Sequence, residues 1–372
     1  MPYTAATVQL LSPEGAIVVN DVSAPYAHYI DDLSEQQLRE FHRQMVVMRR
    51  FDTEAANLQR QGQLALWIPS IGQEAAQVGS GYAARPQDHI FPAYREHVVA
   101  RIRGVDPVSI IAMLRGISHG GWNPAEHGNF HLYTLVIGSQ TLHATGYAMG
   151  IQLDGNMATG NPDADEAVLV YFGDGASSQG DVSEALVFAS SYQTPQVFFL
   201  QNNHWAISVP VSRQSRTPLY RRAAGFGMDG IQVDGNDVLA SYAVTRASLD
   251  TARAGEGPQF IEALTYRIGA HTTSDDPTKY RDSAEADFWI AGDPIKRFEA
   301  YLRSRGEGDA FFAELAEEAD DVAADARRKT LELVNPTAAK IFEHVYSEPH
   351  PLMDEQHAWL RDYEAGFERD RA

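Results

Sequence analysis

Two continuous apolar runs, Ala167–Phe172 and Gln196–Gln201, flank the stretch GDGASSQGDVSEALVFASSYQTP. Runs this short and this uniformly apolar are the mark of strands buried on both faces of a parallel sheet. Between them Val182, Ala185, Leu186 and Ala189 fall on one face of a helix. A strand–helix–strand unit crosses over right-handed and lays its strands parallel. Both strands then end on the same edge of the sheet, where open α/β sheets bind ligands. The first ends at Gly173-Asp174-Gly175 and the second at Asn202-Asn203.

That juxtaposition points to chemistry. A carboxylate beside a carboxamide oxygen makes a poor proton-transfer pair but a good site for a hard cation. Magnesium takes few oxygen ligands from protein and completes its octahedron with phosphate and water. Glycines on both sides of Asp174 let the backbone approach a phosphate closely, and the amides after Gly175, including that of Ala176, open a helix start that can donate to it. The pattern reads as a magnesium–diphosphate clamp.

The rest of the chain agrees with a doubly wound, mostly parallel α/β sheet. Further βα units are expected at Ile231–Val233, at a helix from about Asp237 to Arg253, and at a strand across Phe260–Arg267. Ser34 and Gln37 form a capping-box pattern ahead of Leu38, Phe41, Met45 and Met48, which recur at helical spacing. One long helix over about 34–61 follows, its Met/Phe stripe packing the core. Three regions result: an extended N-terminal arm (1–33), the α/β domain (34–285), and a charged helical C-terminal extension (286–372), solvated over 307–330.

Composition removes several alternatives. The chain has no cysteine, hence no disulfide, thiolate nucleophile or zinc–sulfur site. A formal charge of −20 argues against nucleic acid and suits docking onto a basic partner. The lysines are Lys279, Lys296, Lys329 and Lys340. The α/β core before residue 279 therefore has neither a Schiff-base lysine nor a Gly-Lys-Ser/Thr phosphate loop. No basic-then-apolar leader opens the sequence and no apolar run is long enough for a bilayer, so the expected location is cytoplasmic. GFGMDG at 225–230 fits a dinucleotide pattern but precedes a strand instead of following one, and is set aside. His127 and His131 in HGNFH are read as structural. His271, just past a strand end beside Arg267 and in the polar loop HTTSDDPTKYRD, is read as functional.

The segments FPAYREHVV, VIGSQTLHATG, GDGASSQGDVSEAL, QNNHWAISVPVSRQ, VDGNDVLA and FIEALTYRIGAHTTSDDPTKYR resemble the alpha subunit of thiamine-diphosphate-dependent 2-oxo acid dehydrogenases, over about residues 40–305. The last segment is more similar to the branched-chain type than to the pyruvate type. The resemblance implies the thiamine-diphosphate-binding fold, with 34–285 holding the diphosphate half. It implies magnesium on Asp174, the Asn203 side chain and the Trp205 carbonyl. Gly173, Gly175 and Ala176 would lie against the diphosphate, which Tyr94 and Arg95 would reach. Arg267 and His271 would form a second cationic group at the mouth, and Leu135 and Ile137 would make backbone and apolar contacts to the aminopyrimidine. Gln201 stands where some branched-chain relatives carry arginine, and Thr272 where some carry a phosphorylated serine.

The implied function is oxidative decarboxylation of a branched-chain 2-oxo acid with transfer of the acyl unit to a lipoyl-bearing acyltransferase. His271 would orient or protonate groups during that transfer. The implied assembly is an α2β2 heterotetramer with a beta subunit that supplies the activating glutamate, since the chain shows one α/β domain where a single-chain enzyme of this kind needs two. The alternatives are a pyruvate or acetoin dehydrogenase alpha subunit and, from a different class, a non-catalytic organising subunit.

Overall fold

The computed structural model describes residues 3–118 and 121–369. In chain order the elements that matter for the site are β1 (Thr7–Val8), α1 (Glu35–Arg60), α2 (Glu74–Ala83), β2 (His89–Phe91), α3 (Ser139–Asp154), β3 (Val168–Gly173), α4 (Gly180–Tyr192), β4 (Gln196–Asn202), β5 (Gly230–Asp234), α5 (Val238–Arg253), β6 (Gln259–Leu264), α6 (Pro294–Ser304) and α7 (Asp309–Glu332). The strands form one sheet in the order β1-β5-β6-β4-β3-β2, every neighbouring pair parallel.

The apolar runs are buried on both faces for a plain reason of alternation. Val168, Val170 and Phe172 of β3, with Phe198 and Leu200 of β4, join a core cluster with Ala144, Ala148 and Ile151 of α3 and Val182, Ala185, Leu186 and Ala189 of α4. Tyr171, in between, points to the opposite face, where its hydroxyl donates to Ser80 of α2 at 2.7 Å. On that face α2 packs along α5. Helix α1 begins as its sequence suggests, with Ser34 and Gln37 capping each other reciprocally, and buries Leu38, Phe41, Met45 and Met48.

The N-terminal residues do more than extend. Thr7 and Val8 pair with Gln232 and Val233 as an edge strand. A buried ionic cluster clamps the residues after them. The Asp237 carboxylate accepts from the amides of Leu10 and Leu11 at 2.7 and 2.6 Å, and Asp234 accepts from Tyr3 at 3.0 Å. Arg297 of α6 donates to Asp234 at 2.6 Å, to the Ser12 carbonyl at 3.0 Å, and to the carbonyl of Leu11.

Contacts divide the chain into a unit through Thr330 and a second from Leu331 onward. The first thus reaches past residue 285. Phe298, Tyr301 and Leu302 of α6 are buried, and α7 is amphipathic where a solvated helix was expected. Its Leu315 and Ala319 pack on Val47 of α1, because buried residues recur along α7 three or four positions apart while the charges face outward. The second unit holds the helix Pro351–Arg369, with Trp359 stacked on Tyr363. Among the described residues no helix is long and apolar enough to cross a membrane.

Candidate active site

Parallel pairing sets Gly173 directly beside Gln201, so the loops after β3 and β4 leave the sheet together. They open into a cavity of about 280 Å³. Tyr94, Arg95, Ile137, Gly173, Asp174, Gly175, Ala176, Asn203, Trp205 and His271 all line it. Two of the expected residues do not. Leu135 is 60% exposed on the loop before α3, outside the lining, while its neighbours Thr134 and Ile137 face in. Arg267 lies beneath the cavity, 1% exposed.

Asp174 is almost fully buried, and no arginine or lysine pairs with it among the described residues. Burial pushes its carboxyl up to about 6, against the pull of hydrogen bonds from Gln214 and from backbone amides. The strand's alternation separates the two asparagines. Asn202 turns its amide away to Glu262 at 2.7 Å, whereas Asn203 lines the cavity. The Asn203 Oδ1 accepts from the Trp205 amide at 3.3 Å, and its Nδ2 donates to Gln73 at 3.4 Å. Asp174, Asn203 and Trp205 bring carboxylate, carboxamide and main-chain oxygens to the lining of one cavity, donor chemistry that fits a hard divalent cation. Gln73 Nε2 and Gln140 Oε1 are buried without a partner, and both residues line the cavity. Each is poised for a polar ligand atom.

Trp205 and Ala206 pair antiparallel with Val209 and Pro210 as a short hairpin over the site. His204 and Ile207, at its bends, take left-handed backbone with φ of 72° and 54°. For a β-branched residue such as Ile207 that is strained. Arg267 holds the hairpin in place by donating to the Trp205 and Ile207 carbonyls at 3.2 and 2.8 Å. Its remaining bonds run to the Tyr280 hydroxyl at 2.9 Å and to His271 Nδ1 at 3.3 Å. Arg95 Nη2 also donates to His271 Nδ1, at 3.2 Å, and to the His271 carbonyl at 3.1 Å. A guanidinium can only donate, so Nδ1 is an acceptor and the imidazole proton sits on Nε2. Burial, then the Arg95 and Arg267 charges, lower the His271 pKa to about 3. His271 therefore presents a neutral N–H and is not an imidazolium.

Glu96 and Gln214 lie within the segments FPAYREHVV and QNNHWAISVPVSRQ, where nothing marks them individually as site residues. Glu96 forms part of the lining and accepts from Gln201 Nε2 at 2.7 Å, and Gln201 Oε1 accepts from Gln77 at 3.3 Å. Burial raises the Glu96 carboxyl to about 7. Gln214 donates to Asp174 at 2.9 Å. Away from the site, His131 bonds His89 at 3.2 Å and stacks on Phe91, and His127 donates to the Gly104 carbonyl. Among the described residues no group of His, Cys, Asp and Glu is arranged to hold a metal.

The model of the dehydrogenase E1 component family matches residues 42–330. The chain is 44% identical over 356 residues to the 3-methyl-2-oxobutanoate dehydrogenase subunit alpha of Mycobacterium tuberculosis, covering 95% of this chain and 93% of that one. It is 40% identical over 301 residues to the pyruvate dehydrogenase E1 component subunit alpha of Staphylococcus epidermidis, covering 80% and 77%. The corresponding Staphylococcus aureus subunit is 39% identical over the same length. Members of this family depend on thiamine diphosphate, which accords with a cavity built from oxygen donors and backbone amides at a sheet edge. From its fold, its site and these relatives, the chain belongs to the dehydrogenase E1 component family of 2-oxo acid dehydrogenases, on the alpha-subunit side.

Proposed function

We propose that this chain is the alpha subunit of a branched-chain 2-oxo acid dehydrogenase that decarboxylates its substrate and passes the acyl unit to a lipoyl-bearing acyltransferase. The observation that carries the reading is the convergence of Asp174, Asn203 and Trp205 in the lining of one cavity. Magnesium there would be held by oxygens of these three residues and would anchor the diphosphate, with Gly173, Gly175 and Ala176 at its back and Arg95 and Tyr94 beside it. Thiamine diphosphate, when bound, supplies the electron sink for decarboxylation. The protein's part is orientation and proton placement. Ile137 and Thr134 wall the cavity on the α3 side, and the His271 Nε2–H is a neutral donor at its mouth.

The chain needs a second subunit to act. The carboxylates in the cavity lining are Asp174 and Glu96, and both are engaged in hydrogen bonds. Asp174 is committed to the proposed magnesium and Glu96 to Gln201, so the activating acid is assigned to a beta subunit in an α2β2 assembly. The surface around the site supports this. Leu135 and Val136 are 60% and 70% exposed at the rim, and the neighbouring helices α3 and α4 expose Tyr147, Leu153, Val187, Phe188 and Tyr192. So much exposed apolar surface marks an interface.

The branched-chain reading is favoured over the pyruvate one because the relative of that type matches at higher identity over more of both chains. The test is reconstitution. The purified chain should not decarboxylate 3-methyl-2-oxobutanoate alone, and should do so with its beta subunit, magnesium and thiamine diphosphate, faster than it does pyruvate. Full activity of the isolated chain would refute the shared site. Preference for pyruvate would refute the substrate.

A further inference from the structure

Asp174 is gripped at both ends. Ser177 Oγ donates to its main-chain carbonyl at 2.6 Å, and Gln214 Nε2 donates to its Oδ2 at 2.9 Å. Gln214 comes from the short helix Val211–Gln214, which the hairpin carries back over the turn after β3. The orientation of its amide follows from the carboxylate, which only accepts, so Nε2 faces Asp174 and Oε1 accepts from Ser178 Oγ at 3.3 Å. Arg222 ties the two grips together. Its Nη1 donates to the Ser177 carbonyl at 2.9 Å and to the Ser177 hydroxyl at 3.1 Å, and its Nη2 donates to the Gln214 carbonyl at 3.2 Å.

We infer that Gln214 is a positioning residue that fixes Asp174 as a one-oxygen ligand for the site's divalent cation. This rests on the magnesium reading proposed above. The amide bond on Oδ2 biases the carboxylate toward offering Oδ1 to the metal, and a two-oxygen mode would have to compete with that bond. Magnesium demands near-ideal octahedral placement of its ligands, so a carboxylate free to rotate binds it less well. The donor's neutrality matters as much as its place. A lysine or arginine at this distance would orient Asp174 but cancel the charge that attracts the cation, while a carboxamide orients it and leaves the charge. Partners of this kind behind a metal ligand typically change metal affinity about 10–100-fold.

The experiment uses the assembled alpha–beta complex carrying Gln214→Leu, Gln214→Met (which keeps the length and packing of the side chain) or Asp174→Asn. Manganese binding by electron paramagnetic resonance, the magnesium dependence of thiamine diphosphate binding by calorimetry, and the unfolding midpoint without cofactor are measured for each. Both Gln214 variants should lose about 10–100-fold in cation affinity, keep the wild-type unfolding midpoint, and recover kcat at saturating magnesium. Wild-type cation affinity in both variants overturns the inference, as does a kcat loss that magnesium does not restore or a loss that merely follows a lowered unfolding midpoint. Asp174→Asn separates the two readings. If it abolishes cation binding while both Gln214 variants bind normally, only the role of Gln214 falls. If it binds cation like wild type, the magnesium clamp itself falls and the inference with it.

Discussion

The two glycines around Asp174 should respond differently to the same substitution, and the difference can be worked out from the hairpin. Gly175 has ordinary right-handed angles, φ −60° and ψ −42°, so alanine brings no backbone penalty there. The obstacle is space. A Cβ on Gly175 would lie 2.8 Å from the Cβ of Ala206 and 3.5 Å from its Cα. Non-bonded carbons sit best at roughly 3.5–4.0 Å, so the hairpin must retreat by about 1 Å. Overpacking of this kind costs about 1–3 kcal/mol. Because Trp205 is next to Ala206, the retreat also moves a proposed metal ligand, and a misplacement of about 1 Å can cost on the order of 100-fold in function. The assays are the unfolding midpoint of the cofactor-free complex and its affinity for magnesium and thiamine diphosphate. Gly175→Ala should lower both. Gly173→Ala, whose Cβ would meet nothing within 4 Å, should leave the midpoint unchanged and confine any loss to cofactor binding. Adding Ala206→Gly to Gly175→Ala removes the obstructing atom and should restore most of both quantities. Wild-type behaviour of Gly175→Ala, or no recovery in the double variant, would refute the steric argument.

Three further outcomes are expected. His271→Ala should reduce turnover of the whole complex far more than decarboxylation read with an artificial electron acceptor, and equal losses would reassign His271 to binding or folding. Arg253→Leu should cost about 3–5 kcal/mol, since it strips Asp88, fully buried, of its two-point guanidinium partner; Asp88→Asn added to it should recover part of that loss in chemical denaturation, and no recovery would mean the penalty is packing alone. His42 lies among Phe298, Phe311 and Phe312 with Nδ1 unpartnered, and burial lowers its pKa to about 4. Between that value and the ordinary one near 6.5 the unfolded chain takes up a proton that the folded chain does not, so wild-type stability falls as pH falls through this window. His42→Phe should be more stable than wild type, with a gain that grows from pH 7 down to pH 4.5; a pH-independent gain would contradict the linkage.

The meeting of the Asp174 and Asn203 loops was legible because they lie where strands stop. Apolar alternation places β3 and β4, the crossover rule makes them parallel, and the identities of Asp174 and Asn203 do the rest. The long helix was legible for the same reason, since Ser34 and Gln37 mark its start and a regular stripe marks its face. What stayed hidden was whatever had no period or no charge. Thr7–Val8 is too short to show alternation, yet it completes the sheet edge. Gln214, Gln73 and Gln140 are neutral side chains on different elements, and only folding shows that they converge. The extent of the first compact unit was hidden too, because the acidic composition of α7 masks the small residues Ala319, Ala323 and Ala326 on its buried side.

The ionic cluster around Arg297 also sets an order of events in synthesis. Residues 7–12 leave the ribosome well before their partners, which are Gln232, Val233, Asp237 and Arg297. At about 5–20 residues per second, roughly 15–60 s separate Leu11 from the arginine that binds its carbonyl. For most of that interval residues 7–12 have no sheet edge to join, because β5 is not yet made, and their clamp closes only when Arg297 has followed it. A chaperone that shields short apolar segments near the N-terminus would act on this protein in that window and not afterwards.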